Sequence, residues 1–271
     1  MTRTTIDLDA IKARQQQTWA SGDFAVVAHG VVLPSERLVD SADLRAGWRV
    51  LDVATGSGNA ALAAARLGAS VVGVDYVPSL IERARERAAA ERLDVEFVEG
   101  DAEALPFPDR AFDAVTSVFG VMFAPNQERA AAELLRVVRS GGRIALVNWT
   151  PGGFIGAMFR VVASHVPPPP GLRSPLEWGT EERVRELFDG GVSELEVREQ
   201  TCTFRSESAQ AFVAFFRRFY GPTLKAFEAL DAAGRKALAA DLVALVEQHD
   251  RLGGPEVAIP SRYVEVIATR A

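Results

Sequence analysis

The stretch from Arg49 to Asp75 constrains this chain more than any other. Arg49-Val-Leu-Asp-Val reads as a short apolar strand and Thr55-Gly-Ser-Gly as a turn. Asn59 to Leu67 is Ala-rich and helical, stopped by Gly68. Ser70-Val-Val-Gly-Val-Asp75 is a second strand of the same buried kind. Strand, turn, helix and strand make a βαβ unit, whose strands lie parallel with a right-handed crossover. The pattern then repeats. Pro78 opens a helix to about Glu91, with proline where its missing N–H costs nothing. Asp94 to Glu99, Ala111 to Ser117 and Arg143 to Asn148 supply three more strands. Asn126 caps a helix through Arg139, ended by Gly141-Gly142. The expectation is an α/β chain with a doubly wound sheet buried on both faces.

The flanks are less regular. Residues 9–20 suit a short amphipathic helix, a loop with Gly22 follows, and residues 35–46 suggest another helix ended by Gly47. Beyond the fifth strand, Phe154 to Val166 is apolar and helical, and Pro167 to Pro170 is a stiff spacer. Thr180 starts a helix to Phe188, and Val192 to Phe204 reads as a strand. Ser208 to Tyr220 and Pro222 to His249 read as helices, with a break near Gly234, before a last strand from Tyr263 to Thr269. Some 55 residues join these two late strands, more than a loop needs, so a helical cap is expected at about 205–255. Residues 46–150 then form the α/β core, and 151–271 complete the same domain.

Composition narrows the chemistry. Thirty Lys and Arg against 36 Asp and Glu give a formal charge of -6, so no nucleic-acid partner is expected. The lone Cys202 cannot make an internal disulfide, a multi-thiolate zinc site or an iron–sulfur cluster. His29, His165 and His249 have no metal-ligand spacing, and no EF-hand pattern occurs, so no metal is expected. The start of the chain lacks a basic region followed by an apolar run, and no 18-residue apolar stretch exists. The expectations are no signal peptide, no membrane span and a cytoplasmic location. A homodimer is left open.

Ligands of an open α/β sheet sit beyond the carboxyl ends of its strands, where Leu51 to Asn59 falls. Gly56 and Gly58 let backbone approach a ligand closely. Asp75 closes the second strand, placed to accept from ribose hydroxyls. These features alone fit a nicotinamide dinucleotide or S-adenosylmethionine, and Ala61 can serve as the third small residue of a dinucleotide fingerprint. Asp52 favours the second ligand. A carboxylate beside the glycine turn repels a pyrophosphate but suits an ammonium and a sulfonium. Asp52 also suits a loop cap. Asp101 ends the third strand where an adenine amino group would lie, Ala102 can offer its N–H to the ring, and Ser117-Val-Phe-Gly120 ends the fourth strand.

Val50 to Asn59, Gly73-Val-Asp75, Gly100 to Phe107 and Leu134 to Arg143 together resemble the class I S-adenosylmethionine-dependent methyltransferases. Within them the chain is similar to the branch of ubiquinone and menaquinone C-methyltransferases and many small-molecule enzymes. The resemblance is close over about residues 45–150. It implies a Rossmann-like methyltransferase fold with seven strands, the last antiparallel, residues 192–204 and 262–269 supplying the final two. It places Asp52, Ala54, Gly56, Gly58 and Asn59 at the methionine part of S-adenosylmethionine. Asp75 falls at the ribose, Tyr76, Asp101 and Ala102 at the adenine, and Ser117 and Phe119 on strand four beside the cofactor. Thr55 stands where relatives often carry cysteine or glycine. Residues 1–45 resemble a helical lid, with Trp19 closing over the cofactor, although a core tryptophan fits equally.

The resemblance implies methyl transfer by in-line displacement to an O, C or N atom of a small acceptor. The aromatic residues of 149–170 and 205–250 suggest an apolar or aromatic one. His165, His29 and Tyr220 are the candidate general bases, each competing with a surface or packing role. A macromolecular acceptor, an NAD(P)-dependent oxidoreductase and a catalytically silent cofactor-binding protein are the alternatives.

Overall fold

Seven strands form one sheet in the order β3-β2-β1-β4-β5-β7-β6. They are β1 (Arg49–Val53), β2 (Ser70–Asp75), β3 (Val95–Glu99), β4 (Phe112–Val118), β5 (Val138–Trp149), β6 (Val192–Ser206) and β7 (Val257–Arg270). The computed structural model describes residues 7–271, so the reading of the first six residues lies outside it. The first five strands pair in parallel, and β7 runs antiparallel between β5 and β6. The sheet is thus the expected doubly wound, seven-stranded methyltransferase fold. The chain starts at β1 and builds outward both ways, so the β1–β4 boundary is its topological switch point.

The helices are α1 (Leu8–Trp19), α2 (Phe24–Ala28), α3 (Val32–Ser41), α4 (Asn59–Arg66), α5 (Pro78–Glu91), α6 (Gln127–Val137), α7 (Phe154–His165), α8 (Glu181–Leu187), α9 (Ala209–Phe219), α10 (Gly221–Ala229) and α11 (Ala232–His249). Small side chains seat α4 tightly on the sheet: Ala60, Ala61, Ala63 and Ala64 are all buried. Helices α9 to α11 lie between β6 and β7 in sequence and form the cap. Among the described residues, no helix is long and apolar enough to cross a membrane.

The differences from expectation have local causes. Asp23 accepts from the Ala25 N–H and starts the short α2, where a loop was expected. The helix expected at 35–46 starts earlier, at Val32, because Pro34 is tolerated in its first turn. Helix α6 ends at Val137, before the glycine pair, and β5 already begins at Val138. Gly141 then adopts φ 70 within β5, whose register against β4 shifts between Phe112 and Ala114. The break in the long C-terminal helix falls before Gly234, because Asp231 accepts from the Gly234 N–H at 2.7 Å and caps α11. Strand β7 is longer than its apolar segment and pairs with β6 from Val257–Ser206 to Arg270–Val192.

Candidate functional site

The tips of β1 and β4 carry the unusual backbone. Ala54 and Phe119 follow these strands with φ of 52 and 51, a left-handed conformation costing a side-chain-bearing residue roughly 1–2 kcal/mol. Such strain gathers where a ligand site needs a particular turn. Gly120 has no room for a side chain, since a Cβ there would lie 2.7 Å from the Ala54 Cβ.

Asp52 organises the glycine turn. One carboxylate oxygen accepts from the Thr55 hydroxyl at 2.5 Å and the Ala61 N–H at 3.1 Å, and the other from the Thr116 hydroxyl at 2.8 Å. The chain's own carboxylate thus occupies the N-terminus of α4, where a dinucleotide fold holds pyrophosphate. Asp75 accepts from the Gly56 N–H and the Val77 N–H, both at 2.9 Å, and so ties the turn to the end of β2. Burial pushes both carboxyls up to about 6, against the pull of these hydrogen bonds.

A cleft of about 950 Å³ opens at these tips. Trp19, Asp52, Ala54, Gly56, Asn59, Asp75, Tyr76, Asp101, Ala102 and Phe119 line it, so the structure brings ten of the twelve expected cofactor residues together. Gly58 and Ser117 do not line it. Gly58 takes φ 88 and starts α4, and the Ser117 hydroxyl donates to the Val53 carbonyl and accepts from the Val121 N–H. Asn59 is also committed: its amide donates to the Ala28 carbonyl and accepts from Arg87.

Lys12 and Glu103 complete the charged lining. The Lys12 ammonium stands 2.6 Å from both Asp101 and Glu103. Burial alone depresses it, but the two carboxylates more than offset this and raise it above its ordinary value. Gln16 donates to the Tyr76 carbonyl, so α1 is bonded across the cleft at two points. Lys12, Gln16 and Trp19 share one face of α1 by their spacing, a signal that sequence reading did not use.

A second cavity of about 420 Å³ adjoins the first. Trp19, Phe24, Val31, Phe119 and Phe123 line both. Trp19 packs edge-on against Phe24, Phe123 and Tyr220, with centroids 5.6, 4.9 and 5.5 Å away. Of the three candidate bases, only Tyr220 lines this cavity, and burial raises its hydroxyl well above the usual range. His165 lines neither cavity; its Nε2 lies 2.7 Å from Asp241 and links α7 to α11. His29 is exposed and lines neither. The expectation that either histidine reaches the pocket is corrected, because an approach along the chain does not fix the face a side chain takes. His249 also stays outside, bonded through Nδ1 to the Leu245 carbonyl.

Comparison with known proteins agrees with this geometry. A model of the methyltransferase domain matches residues 51–146. The uncharacterised protein Rv1403c of Mycobacterium tuberculosis is 41% identical over 229 residues, covering 83% of this chain and 84% of the relative. This chain belongs to one family with Rv1403c, and its residues 51–146 match a methyltransferase domain. Demethylmenaquinone methyltransferase of Thermus thermophilus is 45% identical over 136 residues, 49% of this chain and 62% of that protein. The YcgJ protein of Bacillus subtilis has the same fold, with a TM-score of 0.60 at 22% identity over 87% of this chain and 97% of its own. The methyltransferase domain is thus the class I S-adenosylmethionine-dependent fold, with its cleft at the carboxyl ends of β1, β2 and β4.

The donor set suits that cofactor. Among the described residues, four carboxylates and one ammonium line the cleft, a balance that favours a cationic, phosphate-free nucleoside over a dinucleotide.

Proposed function

We propose that this chain is an S-adenosylmethionine-dependent methyltransferase whose acceptor is a small apolar or aromatic molecule. The observation that carries this reading is the Asp52 carboxylate bonded to the Ala61 N–H, which puts a negative charge at the head of α4, where a pyrophosphate would be repelled. When bound, S-adenosylmethionine supplies a methyl group on positively charged sulfur. Asp75 would hold the ribose hydroxyls, and Asp101 with the Ala102 N–H would hold the adenine beside Tyr76. Ala54, Gly56 and Phe119 would bound the methionine end.

The chain's own part is alignment and exclusion of water. In-line displacement needs the acceptor atom held close to the methyl group, which positioning alone accelerates strongly. In this reading, Trp19, Phe24, Phe119 and Phe123, which line both cavities, would flank that approach. The likeness to demethylmenaquinone methyltransferase spans about half of this chain, so it supports the cofactor more than any particular acceptor.

Titration calorimetry tests the reading. S-adenosylmethionine should bind and NAD should not. Asp75→Ala should weaken S-adenosylmethionine at least tenfold, about 1.4 kcal/mol, with the folded state checked by circular dichroism. Binding of NAD with no heat from S-adenosylmethionine would sink the proposal.

A further inference from the structure

The second cavity is notable for what its walls lack. Eight of its twelve lining side chains are aromatic, and the other four are Val27, Val31, Ile155 and Met158. Among the described residues, no Asp, Glu, Lys, Arg or His lines it. Its one titratable group is the Tyr220 hydroxyl, which burial keeps protonated and makes a poor proton acceptor at neutral pH. Behind the wall, Tyr263 stacks edge-on to Phe119 and Trp149 at 5.8 and 6.4 Å. Tyr263 and Glu265 are both raised by burial, and neither lines the cavity. On the cofactor side, the Asp52 oxygens are taken by three donors, and Lys12 is held by Asp101 and Glu103.

Resting on the proposed methyl transfer, we infer that the acceptor is an aromatic molecule carrying an acidic S–H or O–H, an arenethiol or acidic phenol, that has already ionised in solution. An alcohol needs a base at the moment of attack, and these walls offer none. A neutral amine gains a positive charge that no acidic side chain of this cavity would balance. An ionised thiol or phenol uses the apolar setting. Its lone pair forms the new bond to the methyl carbon, and the carbon–sulfur bond breaks with its electron pair returning to the positive sulfur. Both charges vanish, and the acceptor's proton has already gone to water. Bringing the anion out of water costs energy, which its attraction to the sulfonium at low dielectric offsets, and the loss of both charges on methyl transfer relieves the remainder. Aromatic faces and the Met158 sulfur add dispersion contacts to a flat, polarisable ring.

The test uses the full chain with thiophenol, 4-nitrophenol, aniline and benzyl alcohol. S-adenosylmethionine binding is measured first by calorimetry, so its absence defeats the proposed function separately. With binding established, thiophenol or 4-nitrophenol should form S-adenosylhomocysteine at least tenfold faster than aniline or benzyl alcohol. The faster of the two assigns sulfur or oxygen as the nucleophile. The pH midpoint of the rate should move with the acceptor's own acidity across a series of substituted thiols or phenols. A midpoint fixed across the series, equal turnover of aniline or benzyl alcohol, or no turnover of thiol and phenol overturns the inference. Binding supplies a readout without turnover: 4-nitrophenol should show its phenolate absorbance when bound beside sinefungin, a cationic analogue that transfers nothing. Absorbance of the protonated phenol in the bound state would count against it. Phe216→Leu, in the second cavity only, should raise the acceptor KM several-fold and leave the S-adenosylmethionine Kd unchanged. An unmoved KM in the folded variant places the acceptor elsewhere.

Discussion

Replacing Asp52 separates the shape of the glycine turn from its charge. Asparagine keeps one oxygen for Thr55 and Ala61, and its amide can donate to the Thr116 hydroxyl, which rotates to accept. Alanine keeps none of this and leaves the Ala61 N–H and two hydroxyls buried without partners. At roughly 1 kcal/mol each, D52A should be less stable than D52N by about 3 kcal/mol at every pH.

Charge acts separately. Burial raises the Asp52 carboxyl from 3.8 to about 6, so between these values the folded state binds its proton more tightly than the unfolded chain. The stability this proton gives is fully present below pH 3.8 and lost as pH rises through about 6. The native chain should therefore lose roughly 3 kcal/mol relative to either variant between about pH 4 and pH 8. Urea titrations at both pH values measure the two effects independently. Equal stability of D52N and D52A would refute the hydrogen-bond argument, and a pH-independent gap to the native chain would refute the burial argument. At neutral pH, D52N should weaken S-adenosylmethionine more than S-adenosylhomocysteine, because only the first carries a charge on sulfur.

Asp52 and Asp75 are both raised to about 6, so S-adenosylmethionine affinity should fall as pH drops through that value. If one ionised carboxylate is required, the loss is about tenfold one unit below its pKa, and calorimetry from about pH 7 to 5 measures it. Gly221 sits where a Cβ would lie 2.0 Å from the Thr18 carbonyl oxygen, so Gly221→Ala should unseat α1 from α10, change Trp19 fluorescence and lower the melting temperature. His165→Ala should leave turnover within about twofold and cost less than about 1 kcal/mol in a denaturant titration, since its Asp241 partner is 58% exposed. A large loss of turnover would return His165 to the list of bases.

The cofactor half of the fold was legible because its signals are local. Strand, turn, helix and strand follow within one βαβ unit, and Pro78, Asn126 and the turn glycines mark its joints. The acids at the strand tips followed from that register. Asp52 suits both a charge toward the ligand and a loop cap in the sequence; it lines the cleft and also anchors the turn, with its Thr116 partner supplied by β4, 64 residues away and outside any local pattern. Lys12 went unnoticed for a similar reason, since the carboxylate that holds it lies 89 residues along the chain. Strand β7 was read short because Pro260, Ser261 and Arg262 interrupt its apolar run, while pairing with β6 continues through them. Pairing partners distant in sequence override local pattern.

The N-terminal helices and the cap meet through contacts that no local pattern carries. Gly22 and Tyr220 form an isolated bridge, and the Asp23 N–H donates to the Phe219 carbonyl at 3.0 Å. A Cβ on Gly22 would lie 2.5 Å from that same carbonyl oxygen, and φ there is +75, so glycine is needed for both space and backbone. The corner after α1 is thereby fastened to the corner between α9 and α10. Trp19 and Tyr220 extend from these two corners into the wall around the second cavity. Lys12 and Gln16, on the same α1, reach Asp101 and the Tyr76 carbonyl across the first. One helix therefore contacts the first cavity through Lys12 and both cavities through Trp19. A rigid-body shift of α1 away from Asp101 and Tyr76 would therefore also move Trp19 against Tyr220, so such a shift would reshape both cavities together.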